Sequence, residues 1–163
     1  MQHIREPKIF IGWREWVALP ELGIPGIKAK VDTGAKTSTL HAFALTPFEK
    51  DGREYISFSV HPLQGNKKMT IPCTAPVTGK RKVTDSGGHT QKRYVITTQL
   101  LIAGRSWDIE VTLTNRDTMQ FRMLLGRDAM RGHIIVDPQL SLQTGSKSVS
   151  KLYDEYQPKE FDT

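Results

Sequence analysis

Cysteine is nearly missing from this chain: Cys73 is the one thiol in 163 residues. An intramolecular disulfide is therefore excluded, and a thiolate zinc centre lacks ligands. Histidine is sparse, and no H-E-x-x-H occurs among His3, His41, His61, His89 and His133, so no metal is expected. A site combining His41, His89 and a carboxylate stays open. Neither G-x-x-x-x-G-K-[ST] nor G-x-G-x-x-G is present, so no nucleotide cofactor is expected. Ser38 and Cys73 sit in no G-x-S-x-G elbow and beside no evident base, which argues against either as a nucleophile. Aromatic residues are only 8% and fall mostly at core-like positions, so nucleic acid is not the expected partner despite the basic run "GKRKV". No apolar run approaches the ~20 residues that cross a bilayer. The first residues, "MQHIREPKIFIGW", carry charges inside their only apolar stretch. Neither a membrane association nor a secretory leader is expected, and the expected location is cytoplasmic.

What remains is the composition of one globular domain, with 37% hydrophobic and 25% charged residues. The net charge of +6, from 23 Lys+Arg against 17 Asp+Glu, favours an acidic partner. Period-two alternation dominates. In "WDIEVTLTN", Trp107, Ile109, Val111 and Leu113 alternate with polar residues, and "YISFSV" and "IKAKV" do the same. "KMTIPC", "YVITTQLLI" and "HIIVD" are further strand candidates. Turn residues separate them at Asp51-Gly52, Gly65-Asn66, Gly87-Gly88 and Gly104. The pattern predicts an all-β barrel or sandwich. Helical character is confined to a turn around "TSTLHAF" and a short helix after "LLGRDAMRG". The domain is expected over 1–144. The polar tail 145–163 is expected to be flexible, or to dock only through Leu152, Tyr153 and Tyr156.

The chemistry-bearing stretch is "VDTGAKTSTLHA". Asp32 follows directly on the "IKAKV" strand, and Gly34 can adopt backbone angles that let amides point at its carboxylate. Asp-Thr-Gly is also ordinary turn composition, so the triplet alone is weak. A second segment, "FRMLLGRDAM", supplies an apolar strand, then Gly126, Arg127 and the short helix. The pair Asp32-Thr33-Gly34-Ala35 and Leu124-Leu125-Gly126-Arg127 resembles the two signature segments of retropepsin-type aspartic peptidases. "IGWREWVALPELGIPGIKAKVDTGAKTSTLHA", "KRYVITTQLLIAG" and "WDIEVTLTNRDTMQFRMLLGRDAM" extend the likeness. Over roughly Phe10 to Ser141 the chain is similar to the retropepsin-like family labelled "ATP-dependent zinc protease".

The resemblance implies an acid-protease fold: a closed barrel with one short C-terminal helix. It implies Asp32 as the catalytic acid/base, Thr33 and Gly34 shaping its loop, and Leu125, Gly126 and Arg127 supporting that loop from behind. Only one D-T-G is present, so the implied site needs a homodimer with Asp32 from each copy on the two-fold axis. Some members of that family accompany ATP-grasp glutamate ligases and are linked to trimming oligoglutamate tails. An acidic peptide or protein tail is therefore the implied substrate, a ligase system the implied partner, and any ATP would be bound by the partner. Viral relatives carry an acid where this chain has Lys36. With Ala35, Lys36 is a candidate substrate contact, as are His41 beyond the loop and Lys92 and Arg93 on a candidate flap, Lys82 to Val95. A solvated lysine, a structural histidine and an ordinary hairpin are the competing readings. Two other functions stay open: a non-catalytic module that grips acidic peptide, and a zinc-dependent peptidase.

Overall fold

The computed structural model describes residues 6–84, 87–116, 118–145 and 152–153. The strands are β1 (Ile9–Ile11), β2 (Arg14–Leu19), β3 (Ile24–Val31), β4 (Ser38–His41), β5 (Phe43–Lys50) and β6 (Arg53–Val60). They continue with β7 (Ile71–Thr84), β8 (Thr90–Ile102), β9 (Arg105–Thr114), β10 (Met123–Leu125) and β11 (Ile134–Val136). A 3-10 turn spans Pro20–Leu22, and helix α1 spans Arg127–Met130. The turn chemistry acts as the sequence predicts. Asp51 and Gly52, and again Ala103 and Gly104, all take positive φ. They close two-residue hairpins at Lys50↔Arg53 and Ile102↔Arg105, the primed-turn geometry that matches strand twist.

The main sheet has the order β2-β3-β10-β4-β9-β8-β7-β6-β5, and β2 pairs back onto β8 at Ala18↔Leu101. Six strands thus close into a ring, while β7, β6 and β5 extend beyond it. The all-β class expected from the sequence is what the chain adopts. Ile24, Ile27, Leu40, Ile96, Leu100 and Leu113 fill the interior. The alternation read in β9 places Ile109, Val111 and Leu113 there while Asp108 and Glu110 face out. Strand β7 changes partner along its length. Its first half pairs with β6, and past the irregularity at Val77/Gly79 its second half pairs with β8. The result is a long two-stranded arm that runs out to Thr84↔Thr90. Among the described residues no helix is long and apolar enough to cross a membrane.

One local expectation is corrected. The helical turn expected around "TSTLHAF" is absent: Ser38–His41 is strand β4, and Phe43 opens β5. All four residues of β4 are buried, with β10 on one side and β9 on the other. Backbone groups so placed are satisfied by two neighbouring strands, and that pairing outweighs a weak helical pattern. The tail returns to the body at Leu152 and Tyr153. Tyr153 is buried and its hydroxyl donates to the Gly26 carbonyl. Leu152 lies so close to Gly26 that a Cβ there would be 2.6 Å from Leu152 Cδ1. Tyr156 lies outside the described residues.

Candidate active site

Strand β10 lies between β3 and β4. It runs parallel to β3, with Leu125↔Val31, and antiparallel to β4, with Leu124↔Thr39. Since β3 and β4 are consecutive in the chain, the link between them must round the C-terminal end of β10. That link begins at Asp32, whose backbone N–H donates to the Leu125 carbonyl at 2.9 Å. Its carboxylate Oδ1 accepts from the Gly34 and Ala35 amides, at 3.0 and 3.2 Å. Two amides on one oxygen fix the orientation of the carboxylate.

The segment after β10 fastens the rest of the loop. The Arg127 and Asp128 amides donate to the Ala35 and Lys36 carbonyls at 2.8 and 2.9 Å. Arg127 Nη1 donates to the carbonyls of Thr33, at 3.1 Å, and Gly34, at 3.5 Å. The Gly126 amide donates to Ser38 Oγ at 2.9 Å. Gly126 is required by the closeness of this approach: a Cβ would stand 2.6 Å from the Thr37 carbonyl carbon and 2.8 Å from the Ser38 nitrogen. Leu125, Gly126 and Arg127 thus all contact the loop.

Asp32 opens into a cleft of about 640 Å³. The loop contributes Ala35 and Lys36, and the β7–β8 arm contributes Arg81, Lys82 and Arg93. Arg116 adds a fifth cation, and among the described residues of the lining Asp32 is the one acid. Arg93 is almost fully buried, with Nε donating to Gln91 Oε1 at 3.1 Å. A smaller cavity of about 330 Å³ shares Arg93 and Arg116 and continues toward His89, Gln91 and Asn115. Low-dielectric walls carrying this excess of cations focus a positive potential into the cleft.

Not all of the sequence candidates meet there. Ala35, Lys36 and Arg93 line the cleft with Asp32. Lys92 is exposed on β8 and lies outside the lining. His41 is fully buried; its Nδ1 accepts from the Arg116 amide at 3.0 Å. It anchors the strand end that carries Arg116 rather than facing the cleft. Arg81, Arg116, Thr37 and Ser38 were not singled out for these roles. In sequence "GKRKV" reads as a basic run without a place in the site; the signal that places Arg81 there is the strand register that sets it opposite Arg93. Burial pushes the Cys73 thiol up to about 12, which keeps it protonated and unreactive. Among the described residues no three His, Cys, Asp or Glu side chains are grouped to hold a metal ion. The described residues do not fit the zinc of the family label.

Known proteins bear on this geometry. A model of the RimB-like family, described as the retropepsin-like aspartic endopeptidase RimB, matches residues 10–146. A "Probable alpha-L-glutamate ligase" of Parasynechococcus marenigrum is 50% identical over 93% of this chain and 32% of its own length. One of the same description from Desulfotalea psychrophila is 48% identical over 94% of this chain and 33% of its own. The chain thus spans about a third of the length of these curated relatives. Among solved structures, the Legionella pneumophila protein Lpg0085, of unknown function, superposes with a TM-score of 0.71 at 31% identity. That match covers 85% of this chain and 99% of the other. With residues 10–146 matched and the Asp32 loop built as described, the chain belongs to the RimB-like, retropepsin-like family.

Proposed function

We propose that this chain is an aspartic-type peptidase that hydrolyses peptide bonds in acidic, glutamate-rich peptides, with its active site completed by a second copy. The observation that carries the reading is the Asp32 carboxylate, held by the Gly34 and Ala35 amides in a cleft whose other charged lining residues, among those described, are all cations. Hydrolysis by carboxylates takes two of them sharing one proton, and one chain supplies one. Two Asp32 side chains brought within roughly 3 Å on a two-fold axis cannot both ionise, so one stays protonated and the pair titrates together. The ionised member takes a proton from water as the water oxygen attacks the peptide carbonyl carbon. The protonated member hydrogen-bonds the carbonyl oxygen as negative charge develops there. Collapse of the tetrahedral intermediate breaks the C–N bond, and a proton passes to the leaving nitrogen. The bound amides keep Asp32 Oδ1 oriented, which leaves Oδ2 for the shared proton.

The glutamate character of the substrate is supported by the cleft cations and by the description of the relatives as probable glutamate ligases. A ligase that builds a glutamate chain and a peptidase that cuts one would act on the same polymer, so a glutamate ligase system is the proposed partner. In that arrangement ATP belongs to the ligase.

The test is subunit mixing. Asp32→Asn should abolish cleavage of an oligoglutamate peptide while keeping the sedimentation behaviour of the parent chain. Co-refolding the two at fixed total concentration should give activity that follows the square of the parental fraction, about a quarter at equal mixing. A linear dependence would show that each chain cuts alone. The cation-rich lining also favours a second reading, a module that binds acidic peptide without cutting it. Tight binding by the parent chain with no cleavage across pH 3–8 would select that reading (the range spans the carboxylate values of about 3.5 to 4.3 and their raised partners).

A further inference from the structure

The proposed substrate is acidic, and five cations line the cleft, but they are not equivalent. Among the described residues, Arg81 joins the β7–β8 arm to the Asp32 loop through its side chain: its Nη1 donates to Thr37 Oγ1 at 3.0 Å. Its other terminal nitrogen, Nη2, is paired with the carboxylate of Glu110, on β9. Glu110 is not part of the cleft lining. The pair is well exposed, with side-chain accessibilities of 41% for Arg81 and 49% for Glu110. An exposed ion pair of this kind contributes little and exchanges readily. The guanidinium is a planar fork suited to one carboxylate, and the chain itself currently supplies that carboxylate from the rim.

We propose that Arg81 is the residue that selects an acidic side chain in the substrate, and that Glu110 is a built-in stand-in for the substrate carboxylate. The inference rests on the peptidase reading for its assay but names a determinant that reading leaves open. When an acidic peptide enters, its carboxylate takes the Nη2 side of the fork from Glu110. Nη1 stays on Thr37, so the selected carboxylate is held at a fixed offset from the loop that begins at Asp32. Lys36 and Lys82 attract anions to the cleft as point charges. Arg81, tethered at Nη1, gives the direction.

The test compares two peptides of equal length, oligoglutamate and oligoglutamine, each bearing a fluorophore and quencher. Removing the fork in Arg81→Met should lower the ratio of kcat/KM for the glutamate peptide to that for the glutamine peptide by roughly ten- to a hundredfold, the range for losing a charge-assisted hydrogen bond. Arg81→Lys should recover only part of the ratio. Glu110→Gln, which removes the competitor, should lower KM for the glutamate peptide and leave that for the glutamine peptide alone. Cleavage by the parent chain with an unaltered ratio in Arg81→Met overturns the inference and leaves the peptidase reading standing. If the parent chain cuts neither peptide, the peptidase reading fails. Calorimetric dissociation constants for oligoglutamate, measured with the same variants, then decide the inference: an affinity unchanged by Arg81→Met overturns it. Circular dichroism melts of each variant establish that the fold is retained.

Discussion

Substituting Gly126 by alanine tests how tightly the loop is held against its support. The added methyl would stand 2.6 Å from the Thr37 carbonyl carbon and 2.8 Å from both the Thr37 oxygen and the Ser38 nitrogen. All three atoms are backbone, so no rotamer change relieves the contact. Either the end of β10 or the start of β4 must move. Overpacking of this kind costs about 1–3 kcal/mol. The same movement stretches the buried bond from the Gly126 amide to Ser38 Oγ, and an unsatisfied buried donor costs about another 1–3 kcal/mol. The expected loss is therefore about 2–6 kcal/mol, a large share of the roughly 5–15 kcal/mol that holds a domain folded. Gly79 is the internal control. A Cβ there meets only Val95 Cβ, at 3.9 Å, an ordinary contact, so Gly79→Ala should stay within about 1 kcal/mol of the parent. Urea titration followed by tryptophan fluorescence reads both. Gly126→Ala should lower the midpoint by about 1–3 M at a slope near 2 kcal/mol per M, with Gly79→Ala unmoved. Equal midpoints for the two variants would refute the claim that backbone closeness at residue 126 holds the loop.

Two further outcomes follow from other parts of the fold. Burial raises the Cys73 thiol from 9.0 to about 12. The folded state therefore keeps a proton that the unfolded chain gives up near pH 9. Stability from this group is complete below pH 9 and declines as pH rises from 9 toward 12; Cys73→Ala should flatten that part of a stability–pH profile, and an unchanged profile would count against the burial argument. Tyr153→Phe removes the hydroxyl that donates to the buried Gly26 carbonyl. A loss of about 1–2 kcal/mol is expected, which calorimetry would read as a Tm lowered by about 2–8 °C. No change would mean that the tail contact contributes nothing to folding.

Strands that carry their own period were legible. β6, β8 and β9 alternate because one face meets the core and the other meets solvent or the cleft, and their hairpin turns are written in Asp51-Gly52 and Gly104. β4 was not legible for the opposite reason. All four of its residues are buried, so nothing in Ser38–His41 distinguishes an inner from an outer face. β2 is similar: Glu15 lies among its buried positions. There the carboxylate accepts from the Gly12 amide at 2.7 Å and the Thr144 amide at 2.9 Å. A charged residue in a buried row reads from sequence as a break in the pattern. Its partners are separated along the chain, and the pattern is restored only when both are in place.

The site divides along the same line. Asp32, Gly34 and Ala35 make their bonds within three residues, so the short quotation "DTGA" contains that geometry. The support does not come from nearby: Arg127 reaches the Thr33 carbonyl from 94 positions away. A chance Asp-Thr-Gly has nothing to fasten its carbonyls, and would be an ordinary turn. Here the carbonyls of Ala35 and Lys36 are taken by the amides of Arg127 and Asp128, and those of Thr33 and Gly34 by one guanidinium. The motif therefore gains its meaning from "LLGRD", and the two had to be read together. The cations obey a third rule. Arg81 and Arg93 are twelve residues apart along a hairpin, and only the register Arg81↔Arg93 brings them to one cleft. That register is set after the irregularity at Val77/Gly79. A slip of one residue would turn Lys92 toward Asp32 and Arg93 away. The Asp32 half of the site is thus written locally, whereas the cluster of cations around it depends on a strand pairing.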